Sequence, residues 1–245
     1  MSAPSSAHSR QLVLHLYATA TYDCSYLEAH EARSQVVVPG NEIDTEVYAQ
    51  LIEKGFRRSG QTIYRPWCDH CSACIPLRIP ADAFHPDRSQ RRAWKHHGTL
   101  AATVLPLHFS EEHYALYRRY QHARHAGGSM DVDDPQEYRD FILASPVHSV
   151  LVEFREGDIL RMVALVDVLP RALSAVYTFY DDIPHAAYGT YAVLWQIAHA
   201  RATGKAHVYL GYWIEECRKM RYKTRFQPCE ILRESSWERA MLHSQ

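Results

Sequence analysis

The chain has 245 residues, 47% of them apolar and 22% charged, with a formal net charge of −1. That balance is globular, and no apolar run approaches the ~18 residues a membrane helix needs. The opening MSAPSSAHSR lacks a basic stretch followed by an apolar one, so no secretory signal is expected; a cytoplasmic location with reduced thiols is.

Residues 1–10 read as a disordered tail, and LVLHLY and QVVVPG, within 11–39, as strands. NEIDTEVYAQLIEKG reads as a helix, because Ile43, Val47 and Leu51 recur on one face and Gly55 ends the run. FRRSGQTIYRP reads as a hairpin around Ser59-Gly60. RSQRRAWKHHG is a short basic helix ending near Gly98, and LAATVLPLHF a strand. SEEHYALYRRYQHARHAGG is a helix capped by Ser110, with Glu111 and Glu112 at its positive end, Arg118, Arg119 and Arg124 toward the other, and Gly127-Gly128 as its stop. DPQEYRDFIL is a short helix with an Asp cap.

The second half changes character. HSVLVEF and ILRMVALVDVLP are strands around the turn REGD, and ALSAVYTFY is a third. YGTYAVLWQIAHARATG is a helix, HVYLGYW a fourth strand, and a basic helix or loop follows. The fold class is α/β (α+β): an N-terminal Cys-containing region, 11–100, then a mixed sheet with flanking helices, 101–245, the boundary falling near 100–145. The order hairpin, strand, helix, strand resembles the acyl-CoA N-acyltransferase core. That resemblance implies central strands that splay apart and a following helix whose free N–H groups receive the donor's carbonyl. Gly189 and Thr190 stand at that helix start.

Charge is unevenly spread. Residues 57–97 hold eight Lys/Arg against three acids, and residues 214–225 hold five against two. Basic charge among aromatics suits a polyanion such as RNA; the plain alternative is two solvated basic faces. In WCDHCSAC, Cys68, Cys71 and Cys74 recur every third position, and Cys24 is a candidate fourth thiolate, with His70 as a substitute. Zinc or an iron–sulfur cluster fits such a set. Reduced, packed thiols are the alternative, and a cysteine nucleophile based by His70 is a third reading. Cys217 and Cys229 read as structural. Tyr177, Tyr180 and Asp181 end a strand just before the glycine-opened helix, where α/β proteins bind ligands. In YLGYWIEECRKMRYKTRF, Tyr209, Tyr212 and Trp213 precede a basic run, as in sites that stack bases and meet phosphates.

Taken together, RRSGQTIYRPWCDHCSACIPLRI, RSQRR, LYRRYQHARHAGGSM, LSAVYTFYDD, YGTYAVLWQIAHAR and VYLGYWIEECRKMRYKTRFQPCEIL resemble the bacterial leucyl-tRNA–protein transferases, relatives of the eukaryotic arginyl-tRNA–protein transferases, over residues 10–233. Against the family pattern, Leu27 stands where eukaryotic relatives have a second cysteine, Asp182 takes a proline position, and KHHG replaces an Asn-containing segment. The resemblance implies leucine transfer from leucyl-tRNA to proteins beginning with Asp or Glu, generating an N-degron, with no cofactor required. An arginyl donor, an acyl-CoA acetyltransferase and a non-catalytic RNA-binding module are the alternatives.

For that chemistry the candidate catalytic residues are Tyr177, Tyr180 and Asp181, with Asp181 holding an α-ammonium. Gly189, Thr190 and Tyr212 are candidates for the donor. An arginine reads the acceptor carboxylate best, and Arg78, then Arg65, are the expected readers. Arg91, Arg92, Lys219, Arg221 and Lys223 are expected to meet tRNA. Cys24, Cys68, Cys71 and Cys74 are the candidate metal set.

Overall fold

The computed structural model describes residues 13–125 and 131–240. The tail at 1–10 and the Gly127-Gly128 helix stop lie outside the described residues. A small antiparallel sheet opens the chain: β1 (His15–Ala18), β4 (Ser34–Val38), β6 (Thr62–Pro66) and β5 (Arg57–Ser59), in that order. Between its strands, β2 (Tyr22–Asp23) and β3 (Glu31–Ala32) pair as a ribbon whose loop carries Cys24 and Tyr26. Helix α1 (Thr45–Glu53) starts at Asp44, whose carboxylate accepts the Val47 N–H at 2.9 Å. Tyr48, Leu51 and Ile52 form its buried face.

The main sheet has eight strands. In spatial order they are β14 (Ser236–Arg239), β13 (Glu230–Arg233), β7 (Ile75–Pro80), β12 (His207–Trp213), β11 (Ala172–Tyr180), β10 (Ile159–Val168), β9 (Ser149–Glu156) and β8 (Ala101–Pro106). β7, from the Cys-containing region, runs between β12 and β13. Only β11 and β12 pair in parallel, and α5 (Tyr188–Ala202) is the crossover between them.

β10 shows why the second half is so apolar. Met162, Ala164 and Val166 belong to the core shared with α5 and α2 (Arg88–His96). Val163 and Leu165 alternate with them into the core under α3 (Glu111–His125). A strand covered on both faces has no polar side. The expected short helix at DPQEYRDFIL is a single turn, α4 (Pro135–Tyr138), that widens into a π-helical turn at Arg139–Leu143, with Ala144 N–H donating to the Arg139 carbonyl at 2.8 Å. The basic segment after β12 is turned chain ending in a 3₁₀ helix, Arg221–Arg225.

Two features position the site. First, Arg58 of β5 grips Asp167 of β10 through Nε (2.9 Å) and Nη2 (2.6 Å), while Ser149 donates to the same carboxylate at 2.7 Å. Both charged side chains are fully buried, so this pair clamps the small sheet onto the large one. Second, β11 and β12 pair only from Ala172↔His207 to Ser174↔Tyr209. Beyond that, β11 follows β10 to Tyr180 and β12 follows β7 to Trp213, so the expected splay is present.

Candidate active site

Helix α5 starts beside the splay. Ala187, at φ 56°, precedes it, and no side chain caps it. Tyr191 is the first residue to bond back, to the Ala187 carbonyl at 3.0 Å, so among the described residues the N–H groups of Tyr188, Gly189 and Thr190 have no acceptor. His97 fixes the approach: its ring N–H donates to the Ala186 carbonyl and its ring stacks on Tyr188 at 4.6 Å. Burial holds its pKa below the usual value, which keeps the ring neutral.

The Tyr180 hydroxyl faces this helix start. A Cβ built on Gly189 would lie 3.4 Å from it. Tyr120 of α3 meets the Tyr180 ring edge-on at 4.9 Å, and Arg124 lies 5.7 Å from its centroid. Tyr177 accepts from Gln121 Nε2 at 3.2 Å and packs on Phe141 at 5.0 Å. Burial raises the Tyr177 phenol far above its ordinary value, so it remains a neutral hydroxyl. The wall beside the helix start is therefore aromatic.

Asp181 does not fit the expected role of ammonium holder. Its Oδ1 accepts from Arg119 at 3.0 Å and its Oδ2 from Arg161 at 3.1 Å. Asp182 is paired with Arg124 at 2.9 Å. A carboxylate held between two guanidinium groups presents no net negative charge to a ligand. Thr190 is half-buried in the first turn of α5. Tyr212 is buried and donates its hydroxyl to the Gly55 carbonyl at 2.8 Å, so it backs the site and offers no free oxygen.

Arg78, the first expected acceptor reader, is consumed by structure. Its Nε donates to Glu230 at 2.7 Å, and its Nη1 to Glu53 at 2.8 Å and to the Tyr209 hydroxyl at 3.2 Å. Its guanidinium stacks 4.3 Å from the Trp237 centroid. Arg65 is less committed: Nε donates to Gln35 at 2.8 Å, and the group lies between the rings of Phe56 and Trp67, at 4.7 and 5.1 Å.

Arg57 was not singled out by sequence. It precedes the buried Arg58 on β5, so it points to the opposite face. No hydrogen bond or ion pair engages it among the described residues; its guanidinium lies 5.5 Å from the Tyr212 centroid and against the Cα of Gly211. Gly211 sits at φ 76°, where the β12–β7 register shifts, and a Cβ there would overlap the guanidinium. Tyr26 and Tyr64 complete its electrostatic surroundings. Tyr222 connects this place to the helix start. Though 45% exposed, its phenol is pushed up to about 12, chiefly by burial and then by Tyr180, with Arg57 opposing.

Lys223 also departs from expectation. It is 5% exposed, and its Nζ donates to the Tyr212 carbonyl at 2.6 Å. Burial, and then Arg57, hold its pKa well below the usual value. A buried amine beside a guanidinium is no phosphate contact.

Cys68, Cys71 and Cys74 line an open pocket of about 330 Å³ with Pro66, Trp67 and Ser72. Burial, then Cys24, Cys68, Cys71 and Cys217, push the Cys74 thiol up to about 12. Among the described residues no three Cys, His, Asp or Glu side chains are arranged to hold one metal ion. The thiols as placed do not fit a metal.

The two basic windows meet on one face. Arg225 Nη2 donates to Ser89 at 2.9 Å, and Gln90 Nε2 to the Arg225 carbonyl at 3.0 Å, which ties the 3₁₀ turn to α2. Arg91, Arg92, Lys219 and Arg221 are exposed around that junction.

Residues 22–92 match the model of the arginine-tRNA-protein transferase N terminus, and residues 112–233 that of its C terminus. The aspartate/glutamate leucyltransferase of Chromobacterium violaceum is 54% identical over 226 residues, covering 92% of this chain and 93% of its own. That of Nitrosospira multiformis is 51% identical, with 92% and 90% covered. The chain belongs to the aspartate/glutamate leucyltransferase family. Among solved structures, L-PGS from Bacillus licheniformis aligns with a TM-score of 0.46 at 11% identity, over 68% of this chain and 50% of that one.

For a chain of the leucyltransferase family, Tyr180, Gly189 and Thr190 lie together at the helix start, as expected from sequence. Tyr120 packs on Tyr180, and Arg119 and Arg161 hold Asp181, while Arg57 and Gly211 lie across the splay; of these the sequence noted only Arg119, as a helix-end charge. The sequence did carry one usable signal: of two adjacent arginines on a strand, only one can face the core. Among the described residues no helix is long and apolar enough to cross a membrane.

Proposed function

We propose that this chain moves leucine from leucyl-tRNA to the α-amine of proteins that begin with Asp or Glu. The observation that carries the reading is the identity of 54% over 92% of the chain to a relative named for that activity. The helix start supports the choice of leucine over arginine. Its walls are the rings of Tyr120, Tyr177 and Tyr180, and its two carboxylates, Asp181 and Asp182, are already neutralised by arginines. An apolar side chain fits such a wall, whereas a guanidinium would find no free carboxylate.

The reaction joins the acceptor's amine nitrogen to the leucyl carbonyl carbon and breaks the ester bond to the terminal ribose. The amine's proton goes to solvent, and the ribose oxygen leaves as a hydroxyl after taking one up. An ester is already activated, so holding the two partners together is the main contribution. The free N–H groups of Gly189 and Thr190, with the neighbouring Tyr180 hydroxyl, supply donors for the oxyanion that forms at the carbonyl. The exposed bases of α2 and the 3₁₀ turn suit the acceptor stem's phosphates. The test is transfer of labelled leucine and labelled arginine, each from its own tRNA, to peptides beginning Asp, Glu, Ala or Arg. Leucine moving to Asp and Glu peptides is expected; transfer of arginine alone would overturn the donor assignment.

A further inference from the structure

Arg57 is packed among protein groups yet has no hydrogen bond or ion pair among the described residues. Its neighbour Arg58 is fully buried on Asp167, and Arg78 is shared by two carboxylates and a phenol. Even the partly exposed Arg65 has a hydrogen-bonding partner in Gln35. Arg57 has none among the described residues, although protein surrounds it: Tyr212 beneath, Tyr26 and Tyr64 beside it, Gly211 against its head. A half-buried guanidinium held among rings with no carboxylate beside it is placed to receive one from a ligand.

The backbone is also shaped around it. Gly211 takes a left-handed conformation at a break in the β12–β7 register, and any side chain there would occupy the guanidinium's place. The other nearby base, Lys223, turns its amine away into a hydrogen bond with the Tyr212 carbonyl. The open pocket lined by Pro66, Trp67, Cys68, Cys71 and Cys74 lies nearby along β6: Pro66 is two residues from Tyr64, the cross-strand partner of Arg57. On the other side, Gly211 lies on β12 beyond the last β11–β12 pair, across the splay from the β11 end at Tyr180.

We propose that Arg57 reads the side-chain carboxylate of the acceptor's first residue, with the acceptor chain lying along the Trp67–Cys74 pocket. The inference rests on the transfer reading above. A carboxylate accepting two parallel N–H bonds from Arg57 anchors the acceptor's first residue at the splay, with its α-amine toward Tyr180 and the α5 start. The guanidinium is confined by rings and by Gly211 but tethered by no hydrogen bond. Its two-pronged fork matches the carboxylate that Asp and Glu share.

The test is the ratio of kcat/KM for an Asp peptide to that for its Asn counterpart, measured with leucyl-tRNA as donor, in the wild type and in Arg57→Gln. Loss of a charge-assisted, two-bond contact should reduce the ratio at least ~10-fold, with leucyl-tRNA affinity unchanged. A ratio that stays the same while both rates fall together makes Arg57 structural and overturns the inference. If Arg57→Gln does not fold, Arg57→Lys keeps the charge and loses the fork; it should raise KM for Asp and Glu peptides about tenfold at constant leucyl-tRNA affinity. An unchanged KM overturns the inference. A wild type that moves no leucine at all overturns the transfer reading, and this inference with it; discrimination by the wild type that survives in Arg57→Gln overturns this inference alone.

Discussion

Arg78 and Glu230 are hydrogen-bonded at 2.7 Å, from neighbouring strands of the main sheet. The same guanidinium also holds Glu53, on the helix of the small sheet, and only 12% of the Arg78 side chain is exposed. Arg78 is therefore a brace between β7, β13 and α1. Replacing it with Ala removes the guanidinium that Glu230 and Glu53 share, leaving Glu53 only the Tyr209 hydroxyl and Glu230 only His207 at 3.6 Å. The expected result is a loss of about 1–3 kcal/mol of stability with the Asp-to-Asn acceptor ratio unchanged. Thermal or urea unfolding, paired with acceptor kinetics, checks it; a stable variant that has lost acceptor preference would restore Arg78 as the reader.

Gly211 and Gly204 make a controlled comparison. Both have left-handed backbones, at φ 76° and 67°, but a Cβ at 204 meets nothing within 4 Å whereas one at 211 overlaps Arg57. Gly204→Ala should cost about 1 kcal/mol and leave transfer near normal. Gly211→Ala should displace Arg57 and cut transfer to Asp peptides at least about tenfold, because positioning errors of an ångström cost that much or more. Equal effects of the two substitutions on transfer would remove the special meaning of the Arg57–Gly211 contact.

Lys223 gives a pH signature. In the folded protein its pKa lies well below the ordinary lysine value, through burial first and Arg57 second. Between that depressed value and the unfolded value of about 10.4, the unfolded chain binds the extra proton. Stability contributed at this position therefore rises with pH across the interval and is penalised as pH falls. Comparing the wild type with Lys223→Met by denaturant unfolding at about pH 7 and about pH 9.5 should show the wild type gaining on the variant at the higher pH. Parallel pH profiles would mean the amine is charged in the fold.

How much of this could be read from the chain depends on the range of the interaction. The strands from Ser149 to Tyr180 and helix α5 are legible because their apolar character is local and nearly continuous. The Tyr180–Gly189 pairing is legible because only seven residues, 181–187, separate the strand end from the helix start. The fate of each arginine is not. Arg78 meets Glu230 across 152 positions, and Arg58 meets Asp167 across 109. Lys223 looks like its neighbours in RKMRYKTR, yet the 3₁₀ turn faces it inward while Lys219 and Arg221 remain outside. Composition reports how many cations there are, and only the packed fold reports which of them has been left unpaired.

The face that remains basic should behave as a phosphate surface. Binding of leucyl-tRNA should weaken steeply with salt, and replacing Arg91, Arg92, Lys219 or Arg221 singly with Ala should flatten the log–log slope by ~0.7–0.9 for each residue that touches a phosphate. A slope unaltered by all four substitutions would move the tRNA site elsewhere.

The most direct test of the account is a competition. Leucyl-tRNA and arginyl-tRNA are supplied together, at equal concentration, with one peptide beginning Asp, and the product is identified by mass. An aromatic donor wall whose carboxylates are already paired with Arg119, Arg161 and Arg124 predicts a product extended by leucine alone. A product extended by arginine would contradict the account at its centre, because it would require a free carboxylate where Asp181 and Asp182 are already paired.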